Sequence, residues 1–283
     1  MSMQIYDMAV IGGGPGGYTA ALYAARAGLN VVVLEQLSAG GQMALTEQID
    51  NYPGFDAGID GFTLGEQMQR GAEHFGAETI LAEVESVELQ EPVKRLKTSE
   101  GIIMTRTVVI ATGATPRPLG IPGEREWTGR GVHYCAACDG MAYRGKTVAV
   151  IGGGNSAAED ALTLSRFAKK VYLIHRRDTL RAEKIYKKQL EEKENVEFCW
   201  NSTVEKLICT ERLTGVQLRN SKDHTMQELL CDGIFVSVGR NPATVLLQGQ
   251  VTMDQAGYLC ADETTRTNLP GVFAAGDVRT KPL

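Results

Sequence analysis

The sequence is short of several things, and each shortage excludes something. No apolar stretch approaches the roughly 18 residues that a membrane helix needs, which argues against a membrane partner. Met1 to Val10 carry no basic region followed by a long apolar run; they read as the start of a strand rather than an export signal. There is no acidic or basic tail. The 29 Lys and Arg against 34 Asp and Glu leave a net charge of −5, so a nucleic-acid partner is not expected. Six cysteines in 283 residues are too few for a disulfide scaffold. The expected compartment is therefore the reducing cytoplasm. A closely spaced Cys pair there is more often catalytic or metal-binding than structural.

What is present looks globular. The apolar fraction is 43% and the charged fraction 22%, which excludes disorder as the main state. At about 150 residues per domain the length fits roughly two domains. The 32 glycines exceed the usual share without a collagen period, so they serve local backbone needs.

An internal repeat sets the architecture. Residues 9–35 and 149–175 align without gaps at an offset of 140, with ten identities in 27 positions. Each copy runs from an apolar β-rich stretch through Gly-x-Gly-x-x-Gly/Ala and an amphipathic helical stretch into a second β-branched run. That is the opening βαβ unit of a dinucleotide-binding fold. Gly12 and Gly152 allow the tight strand-to-helix turn. Gly14 and Gly154 let a pyrophosphate approach the backbone, and Gly17 and Ala157 let helix and strand pack closely. The helix N-terminus presents free N–H groups to that pyrophosphate. Two copies in matching contexts leave little room for a mere glycine-rich turn. The expected class is α/β, with two Rossmann-like dinucleotide-binding domains of three layers.

The copies end differently, which predicts two different ligands. Glu35 ends the first; a carboxylate there accepts ribose hydroxyls and repels a 2′-phosphate. His175-Arg176-Arg177 ends the second, with Arg181 one helical turn on. Two guanidinium–phosphate contacts at about 1.5 kcal/mol each give roughly a hundredfold preference for a phosphorylated cofactor. The alternative is a solvated face, because Arg181 to Lys193 reads as a charged helix. Thr107–Gly113 and Ile234–Gly239 read as buried strands, each closing one of the two sheets. Gly276-Asp277 follows a short strand. Asp277 either bonds a polyol chain of a cofactor or makes an ordinary Asx turn.

Between the repeats lies VHYCAACDG, residues 132–140. Cys135-x-x-Cys138 reads as a dithiol/disulfide couple at the start of a helix, where the dipole lowers a thiol pKa. Only the thiolate attacks a disulfide. Asp139 adjoins the pair as a proton donor or acceptor, or as a plain helix cap. A zinc site with His133 as third ligand, or two inert thiols, are the alternatives. No second Cys or His pair completes four ligands, so no metal is expected.

Together these residues closely resemble the low-molecular-weight, prokaryotic-type thioredoxin reductases. The match runs along nearly the whole chain: GGGPGG at 12–17, GGQ at 40–42, IDNYPGF at 49–55, ATGA at 111–114, CAACDG at 135–140, GGGNSAAED at 152–160, HRRDTLRAEK at 175–184 and GVFAAGDV at 271–278. The resemblance implies FAD at Gly12, Gly14, Gly17, Glu35, Gly41, Gln42, Asn51, Thr112 and Asp277. It implies NADPH at Gly152, Gly154, Asn155, Ser156, His175, Arg176, Arg177 and Arg181. It also implies thioredoxin as the disulfide substrate and a homodimer, with electrons passing from NADPH through FAD to Cys135–Cys138. The family continues past the Gly-Asp motif with an Arg-Gln pair and a helix; this sequence reads Thr280-Lys281-Pro282-Leu283 there.

Because the first fingerprint is N-terminal and the Gly-Asp motif C-terminal, an inserted NADPH-binding domain is expected at 117–242. The FAD-binding domain is then 1–116 with 243–283. The turn-rich boundaries are Pro116-Arg117-Pro118 and Gly239-Arg240-Asn241-Pro242. The inserted domain would carry both nicotinamide and dithiol, so a rotation between half-reactions is expected. Another protein disulfide as target, or a flavin redox sensor without turnover, are the competing functions.

Overall fold

A computed structural model of the chain describes residues 4–46 and 48–280. It divides into two compact units, Met1–Thr115 with Asn241–Leu283, and Pro116–Arg240.

The first unit is built on a seven-stranded sheet in the order Glu78–Leu81, Val31–Glu35, Ile5–Ile11, Gly101–Ile110, Lys94–Thr98, Val84–Glu88, with Val272–Ala274 beside the second half of Gly101–Ile110. The first four strands and Val272–Ala274 are parallel; the other two are antiparallel. The run VVVL at 31–34 is apolar on both faces because both are covered. Val31 and Val33 meet Tyr18, Ala21 and Ala25 of the helix Pro15–Arg26. Val32 and Leu34 meet the opposite cluster with Leu89, Leu96, Leu247 and Leu259.

The second unit has an all-parallel sheet in the order Val196–Cys199, Lys170–Ile174, Thr147–Gly152, Gly233–Ser237, Val132–His133. On one face Val148, Val150 and Phe235 pack on Ala157, Ala161 and Leu164 of the helix Asn155–Ser165. On the other, Ala149, Ile151 and Ile234 pack on Val204, Val216 and Leu229. Those three belong to an antiparallel sheet, Ser202–Cys209, Leu213–Asn220 and Met226–Leu230. Each fully buried aliphatic or aromatic side chain adds about 1.5–3 kcal/mol. The α/β class with two Rossmann-like units and three layers is the observed one.

Some local expectations need correction. Neither Gly101–Ile110 nor Gly233–Ser237 closes a sheet; both lie inside one, flanked on each side. The expected charged helix from Arg181 is only Lys184–Glu191. Its first residues are held by the glycine turn instead, through Arg181 N–H and Ala182 N–H to the Gly153 carbonyl. The connections between units, Ala114–Pro116 and Arg240–Pro242, pair with each other as a two-stranded ladder.

Candidate active site

The first dinucleotide turn sits where the parallel strands of the first unit end together. Ile11 lies opposite Leu34 and Ile110, and Ile110 opposite Ala274. Gly12, Glu35, Thr112 and the Gly276-Asp277 turn therefore emerge on one sheet edge, the expected ligand crevice of an open α/β sheet. Gly12 has φ +105°, and a Cβ there would stand 2.5 Å from the Ala111 carbonyl oxygen. A Cβ on Gly17 would stand 1.9 Å from the Gly12 oxygen, so strand and helix touch backbone to backbone.

Gly14 differs: a Cβ there would meet nothing within 4 Å. It caps the N-terminus of Pro15–Arg26, whose first turn has no acidic residue and no side-chain cap. Free N–H groups at a helix start, with open space in front, suit an anionic pyrophosphate. Gly41 (φ +56°) closes one side, its Cβ position 3.3 Å from Gly14 Cα, and the Gly276 backbone closes another against Gly16. Glu35 accepts the Gly13 N–H at 2.6 Å and the Leu37 N–H at 3.1 Å, which fixes its carboxylate beside the turn. Thr112 donates to the Ala243 carbonyl at 2.7 Å. Gln42 and Asn51 lie on exposed segments, the short 3₁₀ turn Gly41–Leu45 and the loop after it.

In the second unit the same turn is built with different walls. A Cβ on Gly152 would stand 2.4 Å from the Ser237 oxygen, and one on Gly153 2.1 Å from Cε1 of His175. Gly154 again faces open space at the N-terminus of Asn155–Ser165. Asn155 and Glu183 bond reciprocally: Nδ2 donates to the Glu183 carboxylate and Oδ1 accepts the Glu183 N–H, both at 2.9 Å. That clasp brings the arginine segment to the turn. Ser156, Arg176, Arg177 and Arg181 are exposed, and among the described residues none of the three arginines has an ion-pair partner. The nearest acid in the segment, Asp178, pairs with Lys222 at 3.4 Å.

His175 is set apart from the arginines. It is 5% exposed and backs the turn rather than facing solvent. Burial pushes its imidazole below the usual range, and the charges of Arg181 and Arg176 push the same way. The ring is neutral at neutral pH.

Cys135 and Cys138 form a disulfide, with Cα atoms 5.3 Å apart. Cys135 is the N-cap of a single turn, Ala136–Asp139, and its Sγ accepts the Cys138 N–H at 3.2 Å. The helix is only that one turn, since the 3₁₀ turn Gly140–Tyr143 follows at once. Its dipole is correspondingly small. Cys135 is half-buried and Cys138 exposed.

Near this turn the sequence leaves Tyr143 and Asp160 out and offers His133 only as a metal ligand. Asp139 Oδ2 stands 3.1 Å from Nδ1 of the buried His133, whose Nε2 lies 2.8 Å from the Tyr143 hydroxyl. Asp160, on the helix of the second dinucleotide turn, accepts the Ser237 hydroxyl. Burial pushes its carboxyl above the usual range. One signal was available: Asp160 interrupts the inward face set by Ala157, Ala161 and Leu164.

The sequence profile described as pyridine nucleotide-disulphide oxidoreductase matches residues 6–283. A thioredoxin reductase of Listeria monocytogenes serovar 1/2a is 43% identical over 281 residues, spanning 99% of this chain and 88% of that protein. The chain belongs to this family. It is a flavoprotein disulfide oxidoreductase, and its cofactors are FAD and NADPH. Among solved structures, the thioredoxin reductase from Streptococcus pyogenes MGAS5005 is 42% identical with a TM-score of 0.91, covering 100% of this chain and 92% of that one. The Lactococcus lactis enzyme, in a form titled FR conformation, is 40% identical with a TM-score of 0.67, covering 98% and 92%. Both open helix N-termini fit a dinucleotide, and the three unpaired arginines lie only at the second.

Proposed function

We propose that the chain reduces the disulfide of thioredoxin, drawing on NADPH, with Cys135 and Cys138 as the exchanging pair and Asp139 as the proton donor. When bound, the two cofactors supply the electron pair that opens the disulfide. The protein's own residues do the rest. Gly12, Gly14, Gly17, Glu35, Gly41, Gln42, Asn51, Thr112 and Asp277 would hold FAD on the first unit. Gly152, Gly154, Asn155, Ser156, Arg176, Arg177 and Arg181 would hold NADPH on the second, with His175 bracing the turn from behind. The first unit, Met1–Thr115 with Asn241–Leu283, is then the FAD-binding domain, and Pro116–Arg240 the NADPH-binding domain, one or two residues from the bounds expected from the sequence.

The observation that carries this reading is the placement of a formed Cys135–Cys138 disulfide on the unit that also carries the arginine-flanked turn. In exchange with a partner, one cysteine sulfur bonds a partner sulfur and the partner's other sulfur leaves as a thiolate. Asp139 supplies or accepts the proton that thiol and thiolate exchange. Because one unit bears both the nicotinamide site and the sulfurs, a rotation of that unit between two working states is part of the proposal. So are a homodimer and a cytoplasmic setting. Among the described residues no helix is long and apolar enough to cross a membrane.

The test is NADPH oxidation by the purified protein with and without oxidised thioredoxin, followed alongside its visible absorption. Flavin bleaching by NADPH should persist in Cys138→Ser while thioredoxin-dependent turnover vanishes. Turnover that survives that substitution would sink the proposal.

A further inference from the structure

The reading above leaves His133 without a role, yet it is one of the few buried polar side chains, 7% exposed, in the segment that leads into Cys135. Its ring lies against Phe235, centroids 5.3 Å apart and planes 26° apart, and edge-on to Tyr143 at 5.2 Å. The two ring nitrogens face two oxygens. Asp139 Oδ2 stands 3.1 Å from Nδ1; once ionised it only accepts, so Nδ1 must then carry the ring proton. The lone pair is then on Nε2, which faces the Tyr143 hydroxyl at 2.8 Å. Burial pushes that phenol up to about 12, with Asp139, Asp232 and Cys231 acting in the same direction, so the hydroxyl keeps its proton and has it to donate to that lone pair. Lys146 stands 5.2 Å from the centre of the same ring. In the disulfide form the Asp139 oxygen is off the line of the ring N–H, and Nδ1 has no well-directed hydrogen bond. A donor is thus stationed beside a carboxyl that has yet to use it.

We propose that His133, backed by Tyr143, is a positioning residue that stabilises the Asp139 carboxylate left when Asp139 gives its proton to a departing cysteine sulfur. This rests on Asp139 being the proton donor. The step balances. An incoming thiolate bonds one sulfur of the pair, the Cys135–Cys138 bond breaks, and its electron pair stays on the other sulfur. That sulfur takes the Asp139 proton, and the Nδ1–H of His133 turns to the new carboxylate.

The experiment reduces the full chain with dithiothreitol at pH 7, traps opened cysteines by alkylation and counts them by mass. Asp139→Asn should slow opening about a hundredfold. His133→Phe should slow it about tenfold when Asp139 is present, the loss of one hydrogen bond to a charge, and not at all when Asp139 is Asn. His133→Asn, which can place an amide N–H where Nδ1 stands, should recover most of that loss. Long-range ¹H–¹⁵N spectra should show the Nδ1–H form of His133. If His133→Phe does not fold, Tyr143→Phe carries the same comparison and should slow opening only where Asp139 is intact. An Asp139→Asn variant as fast as the wild type overturns the proton-donor reading, and the inference with it. A His133→Phe loss equal in both backgrounds, or an Nε2–H ring, overturns the inference while leaving the role of Asp139 standing.

Discussion

The imidazole of His175 occupies the space that a side chain on Gly153 would need, its Cε1 2.1 Å from where that Cβ would stand. The ring is buried and cannot swing out without opening the strand end that carries it. Gly153→Ala should therefore cost about 1–3 kcal/mol by overpacking and weaken NADPH binding. FAD content should be unchanged, because Gly12 to Gly17 lie in the other unit. Urea unfolding and an NADPH titration of the flavin-loaded protein check this; unchanged NADPH affinity would contradict it.

The three exposed arginines should set cofactor choice. Replacing Arg177 and Arg181 by Ala removes two cations that have no ion-pair partner among the described residues. At about 1.5 kcal/mol each, the preference for NADPH over NADH should fall roughly a hundredfold. The loss should appear as a higher KM for NADPH with that for NADH little changed. Steady-state kinetics with both cofactors measure it.

Asp160 should leave a signature in the pH dependence of stability. Its folded pKa is raised above the unfolded one, chiefly by burial, with Glu159 adding to it and the Ser237 hydrogen bond and the Ala136 N–H opposing. The folded protein then holds this proton more tightly than the unfolded chain. The group's contribution is whole below about pH 4 and is lost as pH rises through the folded midpoint. Asp160→Asn stays neutral throughout. Its stability relative to wild type should rise from pH 4 upward, by about 1.4 kcal/mol for each pH unit between the two midpoints. Urea midpoints at several pH values give the difference; a flat one would count against the assignment.

Two thiols should stay silent. Burial pushes Cys199 up to about 11 and Cys231 up to about 12, with Glu197 and Asp232 beside them acting in the same direction. At pH 8 roughly one in a thousand or fewer of such thiols is ionised. After reduction, iodoacetamide should label Cys135 and Cys138 and leave these two unmodified over the same minutes. Peptide mapping by mass spectrometry decides it.

The parts of the fold that could be read from sequence are those with one dominant local cause. The two glycine turns announced themselves because backbone approach excludes every other residue at Gly12, Gly17 and Gly152. The apolar runs at 31–34 and 148–151 read as buried strands because helix and sheet cover both faces. The antiparallel layer 202–230 escaped notice, since its burial follows no regular alternation: Ser202–Cys209 buries Val204 and Leu207, three apart, and its register shifts after Val204 and Ile208. Around the disulfide, the spacing gave Cys135, Cys138 and Asp139. It could not give the His133–Tyr143 contact, ten residues apart, or the Ser237–Asp160 contact, 77 apart, because both depend on tertiary packing.

The paired strands Ala114–Pro116 and Arg240–Pro242 have a consequence for how such a chain is assembled. Arg117 N–H reaches the Gly239 oxygen at 2.9 Å, and Ala243 N–H the Gly113 oxygen at 3.0 Å, so the polypeptide leaves one half and returns to it through a single doorway. A segment whose two ends are neighbours can be spliced out as a cassette, and the gap it leaves can be bridged by a turn of a few residues. The whole Pro116–Arg240 stretch is therefore suited to exchange as a unit between otherwise unrelated hosts.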